Sequence, residues 1–191
     1  MKIFLFRHGE YVNPDNIQAG RLQGYHLSEL GKSQIRNIAK KLVNEDIKSI
    51  YSSPLERTKE SAEIIADVLG IDKSKIVFSE DITETDLRDW MGKSKKIFKE
   101  KSFHYKDPSC GKDVESLMDC GKRVLDFINK IAENNTNSAL VSHGDPIMGA
   151  LVSISGSRKI YDEDYIKVGS YFVIEGSKDH WQIVDAGVAQ W

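Results

Sequence analysis

Two stretches, "KIFLF" at residues 2–6 and "SALVS" at 138–142, constrain the fold more than any other feature of the chain. A strand with one wet face alternates apolar and polar residues. These two do not alternate, so each needs cover on both faces, which is the setting of a parallel sheet between helical layers. Both runs end the same way, in a histidine followed by glycine: His8–Gly9 and His143–Gly144.

Helical patterns separate the strands. "LSELGKSQIRNIAKKLVNE" places Ile35, Ile38, Ala39, Leu42 and Val43 at helical spacing, with Ser28 as N-cap. "IKSIYSS" reads as a second strand. In "SPLERTKESAEIIADVLG", Ser53 and Glu56 have capping-box spacing, Pro54 takes the first helical position and Gly70 the stop. "KIVFS" is a third strand. Residues 80–112 are irregular and charged. An amphipathic helix is predicted over 114–133, with Leu117, Cys120, Val124, Phe127, Ile128 and Ile131 as its stripe. "DPIMGALVSIS" reads as a helix capped by Asp145. "YIKVGSYFVIEG" and "HWQIVDAG" read as a hairpin turning at 176–179. The alternation predicts a three-layer α/β/α sandwich with a mainly parallel sheet, and 191 residues suit one domain spanning 1–191.

Composition narrows the function classes. Hydrophobic residues make up 40% of the chain, as in a globular protein, and the net charge of −2 points to neither nucleic acid nor an anionic membrane. No apolar run approaches the roughly 20 residues of a membrane helix, and "MKIFLF" is too short for a signal peptide. The expectation is a soluble, cytoplasmic protein. Its two cysteines, Cys110 and Cys120, are expected to be reduced. No cysteine or histidine spacing suggests zinc.

In a parallel α/β sheet the ligand crevice lies beyond the carboxyl ends of the strands. If the two apolar strands are neighbours, His8 and His143 meet there. A histidine at a strand end is usually just a satisfied polar residue, but two in the same local setting are harder to dismiss. Arg57 is a second anomaly: it falls in the first turn of a helix, where the dipole disfavours cations. It either pairs with a carboxylate or strengthens an anion site at the helix N-terminus. With Arg7, the crevice would hold two guanidiniums and two imidazoles, an arrangement suited to phosphate.

Six blocks, in order, carry a resemblance: "RHGE" (7–10), "GRLQGYHLSELGKSQ" (20–34), "YSSPLERTKESAE" (51–63), "ITETDLRDWMGK" (82–93), "VESLMDCGKR" (114–123) and "VSHGDPIMG" (141–149). Together they resemble the histidine phosphatase superfamily, the phosphoglycerate-mutase-like fold, over nearly the whole chain. The resemblance implies that His8 is the nucleophile that becomes phosphohistidine. It implies phosphate-pocket roles for Arg7, Arg57 and His143, and for Glu84 the protonation of the leaving oxygen. Gln23 and Gly24 match a substrate-side loop. Asn13 matches a pocket asparagine with its offset shifted by one. The chain departs from the family pattern at Tyr11, where Ser or Thr is common, at Arg88 and Met91, at Val114 in place of a glycine, and at Asp145.

The chemistry is coherent on its own terms. A neutral imidazole attacks phosphorus, and a covalent intermediate divides one hard displacement into two. Arg7, Arg57 and His143 can stabilise the equatorial oxygens. Glu84 can protonate the departing alkoxide and then take a proton from water. Without the resemblance, Glu84 is equally a solvated loop acid among Glu80, Asp81 and Asp86. No metal or cofactor is expected.

Three functions compete: a phosphomonoester hydrolase of the histidine acid phosphatase type, a mutase of the phosphoglycerate mutase type, and a phospho-ligand-binding domain without turnover. Glu84 and His143 stand only 59 positions apart. That leaves little chain to enclose a substrate, and an open pocket admits water, which favours hydrolysis of a small phosphorylated metabolite. Residues 93–112 carry seven lysines. They are either a solvated face or a basic lid whose Phe98, Phe103 and Tyr105 touch the substrate.

Overall fold

The computed structural model describes residues 1–96, 114–156 and 166–188. They form a six-stranded sheet of β1 (Lys2–Arg7), β2 (Ser49–Ser52), β3 (Val77–Phe78), β4 (Ser138–Ser142), β5 (Ser170–Ser177) and β6 (His180–Val188). The spatial order is β3-β2-β4-β1-β5-β6. The first four strands in that order are parallel, and the β5–β6 hairpin closes the sheet antiparallel to β1. The helices are α1 (Glu29–Lys40), α2 (Glu56–Leu69), α3 (Leu117–Ile131) and α4 (Gly144–Ser155). The predicted sandwich is the observed one.

Two cores explain the unalternating strands. Phe4 and Phe6 of β1 pack with Ile35 and Ile38 of α1 and Ile65 of α2 on one face. Ile3 and Leu5 pack with Val124 and Ile128 of α3 and Ile147 and Leu151 of α4 on the other. Each fully buried Leu or Ile contributes about 1.5–3 kcal/mol relative to exposure, so a shift of β1 by one residue keeps both faces apolar but breaks the fit on each. The connections from β1 and β4 leave toward opposite faces. The point where they part, between the two strand ends, is the crevice of such a sheet.

Element ends differ from the sequence reading in five places, the first being α1, which stops at Lys40 and leaves Val43 outside the helix and exposed. Helix α3 starts at Leu117 rather than near 114, because the Ser116 hydroxyl accepts from the Asp119 amide at 3.1 Å and sets the cap there. Helix α2 starts at Glu56 with Leu55 as N-cap and no side-chain cap. The predicted cap, Ser53, spends its hydroxyl elsewhere. Helix α4 is capped by His143, and Asp145 lies inside its first turn, where the dipole favours a carboxylate. Strand β3 is only two residues long and exposed at the sheet edge. The Ser28 cap and the left-handed Gly70 stop stand as expected.

Candidate active site

Strand pairing brings the two histidines together. Arg7 of β1 lies opposite Ser142 of β4, and the His8 amide donates to the Ser142 carbonyl at 3.1 Å. The next residues along, His8 and His143, stack edge to face with ring centroids 5.2 Å apart. Both are buried. Burial, then the nearby Arg57 and Arg7 charges for His8 and Arg57 and His8 for His143, hold both imidazoles well below the usual histidine range, so both are neutral near pH 7.

The hydrogen bonds of His8 settle its tautomer. Its Nδ1 lies 2.7 Å from the Gly9 carbonyl, which can only accept, so Nδ1 carries the proton. Nε2 is left with a lone pair, and it accepts from Arg57 Nε at 3.3 Å. Arg57 is the largest fully buried side chain among the described residues. Its Nη2 donates to the Gly20 carbonyl at 2.8 Å and lies 3.8 Å from Glu84 Oε2. Arg7 donates through Nη1 to the Ile166 carbonyl. Gly144 faces that guanidinium closely enough that a Cβ there would lie 3.1 Å from Arg7 Cζ. Glycine follows the second histidine because the arginine needs the room.

Three buried nitrogens, Arg7 Nε, Arg57 Nη1 and His143 Nδ1, have no hydrogen-bond partner among the described residues. Arg7 and Arg57 line one pocket of about 290 Å³, together with Tyr11, Gly20, Glu84, Asp145, Met148 and others. Neither histidine is among the lining residues; His8 meets the lining through Arg57, at 3.3 Å, and His143 through Glu84, at 3.6 Å. Residues at the N-terminal ends of α2 and α4 line it as well, and neither end has a side-chain cap bond. Two guanidiniums, two helix N-termini and unspent donors make a pocket for an anion of phosphate size.

Glu84 closes the site. Its Oε2 is 3.6 Å from His143 Nδ1, and its Oε1 accepts the Thr85 amide at 2.9 Å. Burial first, and then the charge of Asp145, raise its carboxyl to about 7 despite the opposing pull of Arg57 and Arg7. Near neutral pH it therefore exists in both protonation states, as an acid–base catalyst requires.

The tertiary structure also does what sequence spacing did not suggest: it sets donor atoms of His8, Glu84 and His143 within 4.8 Å of one another, a possible metal-ligand group. The fit to a cation is poor. Arg57 hydrogen-bonds the free nitrogen of His8, and Arg7 lines the same pocket, so two positive charges oppose a third.

Five predicted residues thus converge: Arg7, His8, Arg57, Glu84 and His143. Three do not. Asn13 holds its own loop, donating to the Ile17 carbonyl at 2.8 Å and accepting the Ile17 amide at 3.2 Å. Gln23 is exposed and points its amide nitrogen at Glu56 (2.7 and 2.9 Å), and Gly24 beside it is an exposed turn at φ +86. None of the three lines the pocket. Of residues 93–112, Lys95 reaches the pocket wall. The rest of the predicted lid from 97 on, with Phe98, Phe103 and Tyr105, lies outside the described residues, as does Cys110. Cys120 is buried and free. No helix of the described residues is long and apolar enough to cross a membrane.

Sequence reasoning missed two contributors. Ser53 Oγ lies 2.9 Å from His143 Nε2, which fixes that ring. Its position at the end of β2, beside the two other strand ends, was the available signal. Tyr11 stacks edge to face on His8 at 5.5 Å, and Arg57 lies over its ring at 5.3 Å. Where a small hydroxyl residue is common in the family, this chain walls His8 with an aromatic ring.

Comparison with known proteins gives the chain its family. The chain is 32% identical over 158 residues to the 2,3-bisphosphoglycerate-dependent phosphoglycerate mutase of Thermoplasma acidophilum, covering 79% of this chain and 75% of that one. It is 30% identical over 172 residues to phosphoserine phosphatase 1 of Hydrogenobacter thermophilus, covering 82% and 77%. A match to an uncharacterized protein of Mycobacterium tuberculosis reaches 43% identity over 65 residues, and it spans about a third of each chain (34% and 32%). The fold of YhfR from Bacillus stearothermophilus superposes with a TM-score of 0.81 at 22% identity, covering 95% and 94%. The family model of the histidine phosphatase superfamily (branch 1) matches residues 3–188, and the chain belongs to that family.

Proposed function

We propose that the protein is a metal-independent phosphomonoester hydrolase acting through a phosphohistidine on His8. One observation carries the reading: the Gly9 carbonyl locks the proton on Nδ1 of a neutral, buried His8, leaving Nε2 with a lone pair that accepts from Arg57, itself a lining residue of the pocket. A phosphoryl group entering beside Arg7 and Arg57 takes up their unspent donors. His8 Nε2 forms the new bond to phosphorus as the bond from phosphorus to the ester oxygen breaks. Protonated Glu84 gives its proton to that departing oxygen. In the second half the Glu84 carboxylate takes a proton from water, the water oxygen bonds to phosphorus, and the N–P bond breaks to return neutral His8 and free phosphate. The arginines supply the charge stabilisation that a metal supplies elsewhere.

The choice between hydrolase and mutase rests on the short stretch between Glu84 and His143, since the relatives include both kinds. Phosphate release is the test, measured over a panel of sugar phosphates, nucleotides, phosphoamino acids and aryl phosphates. Release without a bisphosphate primer is expected. Turnover that needs a bisphosphate and returns an isomerised product would establish a mutase, and tight binding without turnover would establish a binding domain.

A further inference from the structure

The loop that carries Glu84, residues 81–86, is not held by strand pairing. Beyond its own turns, the Glu115 amide donates to the Asp86 carbonyl at 2.9 Å and the Ser142 hydroxyl to the Ile82 carbonyl at 2.7 Å, and charged side chains add further anchors. Arg123 Nη1 donates to the Asp81 and Thr83 carbonyls at 2.8 and 3.1 Å. Arg21 Nε donates to the carbonyl of Glu84 itself at 2.7 Å. Glu115 Oε2 accepts the Asp86 amide at 2.9 Å. These three side chains are bound to one another. Glu115 receives Arg123 as a two-pronged pair at 2.7 and 3.0 Å, and Arg21 Nη2 at 3.0 Å. Their side chains are only 14%, 20% and 33% exposed for Glu115, Arg123 and Arg21.

None of the three lines the phosphate pocket. They line a separate groove with Asp86 and Arg88. Arg21 also follows Gly20, whose carbonyl holds Arg57 Nη2 at 2.8 Å. One short segment thus grips the anion-binding arginine through its backbone and the Glu84 backbone through its side chain.

We propose that Arg21, Glu115 and Arg123 are positioning residues for proton transfer. They fix the 81–86 backbone so that the Glu84 carboxyl faces Arg57 and His143. The proposal rests on the assignment of Glu84 as general acid. Placement matters at this scale: an error of about 1 Å in a catalytic group costs on the order of 10²-fold. A carboxyl displaced away from the leaving oxygen fails most where the leaving group most needs a proton.

The experiment measures single-turnover phosphorylation of Arg21→Met, Arg21→Lys, Glu115→Gln and Glu84→Gln, each with an alkyl phosphate and with p-nitrophenyl phosphate, alongside thermal unfolding of each variant. Expected for Arg21→Met is a loss of about tenfold on the alkyl ester, and for Glu115→Gln about 10²-fold, with the aryl ester changing only a few-fold. Arg21→Lys regains part of the alkyl rate. Adding Arg21→Met to Glu84→Gln costs the alkyl ester nothing further. Equal losses on both esters, in step with lost stability, would overturn the proposal in favour of a merely structural network. If Glu115→Gln does not fold, the Arg21 pair decides alone. A leaving-group signature in Glu84→Gln without one in Arg21→Met overturns this inference only. Its absence from Glu84→Gln overturns the acid assignment, and this inference with it.

Discussion

The floor of the pocket and its acid-bearing wall are built by different means. His8 and His143 follow directly from neighbouring strands, and backbone register puts them side by side. Arg57 rises from the first turn of α2 into a fully buried place. Glu84 sits on a loop whose charged anchors are Arg21, Glu115 and Arg123, with the Ser142 hydroxyl and the Glu115 amide adding one bond each, and its own side chain is 18% exposed. The floor takes its geometry from the fold itself, so only gross changes move it. The wall takes its geometry from a few charge-assisted hydrogen bonds, so it can be loosened with the fold intact. His8 is therefore fixed by the sheet, and Glu84 is the adjustable part.

The largest effect should come from the floor. His8→Ala is expected to remove phosphate release and, with it, the acid-labile, alkali-stable phosphoenzyme trapped after rapid quenching of the wild type. A label that survives in the variant, or one that resists acid, would place the covalent step on another residue.

Next comes the wall. General acid catalysis is worth about 10²–10⁴-fold. Glu84→Gln should slow phosphorylation by an alkyl ester by that order and by p-nitrophenyl phosphate much less, since p-nitrophenolate leaves as a weak base. With the aryl ester, phosphohistidine should accumulate because the base for water is lost. Asp81→Asn is the control. The leaving-group signature appearing at Asp81 instead would show that the acid is the wrong carboxylate.

The pH profile separates the two regions. Glu84 must be protonated to act as acid and stands at about 7. The alkyl-ester rate should therefore hold below neutrality and fall as pH rises through about 7. His8, neutral far below its usual range, should not limit the rate until well into acid. Asp145 is one cause of the raised Glu84 value, after burial. Asp145→Asn should move the falling limb to lower pH, as read from kcat against pH. A limb that stays put or moves up would mean Asp145 does not act on Glu84.

The smallest effect tests the metal question. Prolonged EDTA treatment should leave the rate unchanged, because Arg7 and Arg57 occupy the electrostatic role beside His8, Glu84 and His143. A loss restored by added Zn²⁺ or Mg²⁺ would turn that donor group into a metal site.

Much of the floor is legible in the amino-acid sequence. Apolar runs without alternation demand cover on both faces, and two of them ending in His–Gly demand a shared crevice if paired. An arginine against the helix dipole calls for an anion or a carboxylate. The wall is less legible. Glu84 is one acid among several in its stretch, and the resemblance alone singles it out. Asn13, Gln23 and Gly24 match the family by motif position, yet Asn13 bonds within its own loop, Gln23 faces Glu56 of α2 and Gly24 makes an exposed turn. A short change in loop path redirects a side chain without altering the motif.

Hydrophobic periodicity and strand-end position are local patterns, and they suffice for the layers, the parallel core and the convergence of His8, Arg57 and His143. Other features come from the packed molecule alone: Ser53 serves His143 rather than its helix, Gly9 locks the His8 tautomer, and Arg21, Glu115 and Arg123 hold the loop of Glu84. Each of these is a hydrogen bond whose length and direction depend on how the folded chain comes to rest. Residues 21, 84, 115 and 123 share no period and no element. What joins them is the groove beside one loop, where a mostly shielded carboxylate pairs with two arginines.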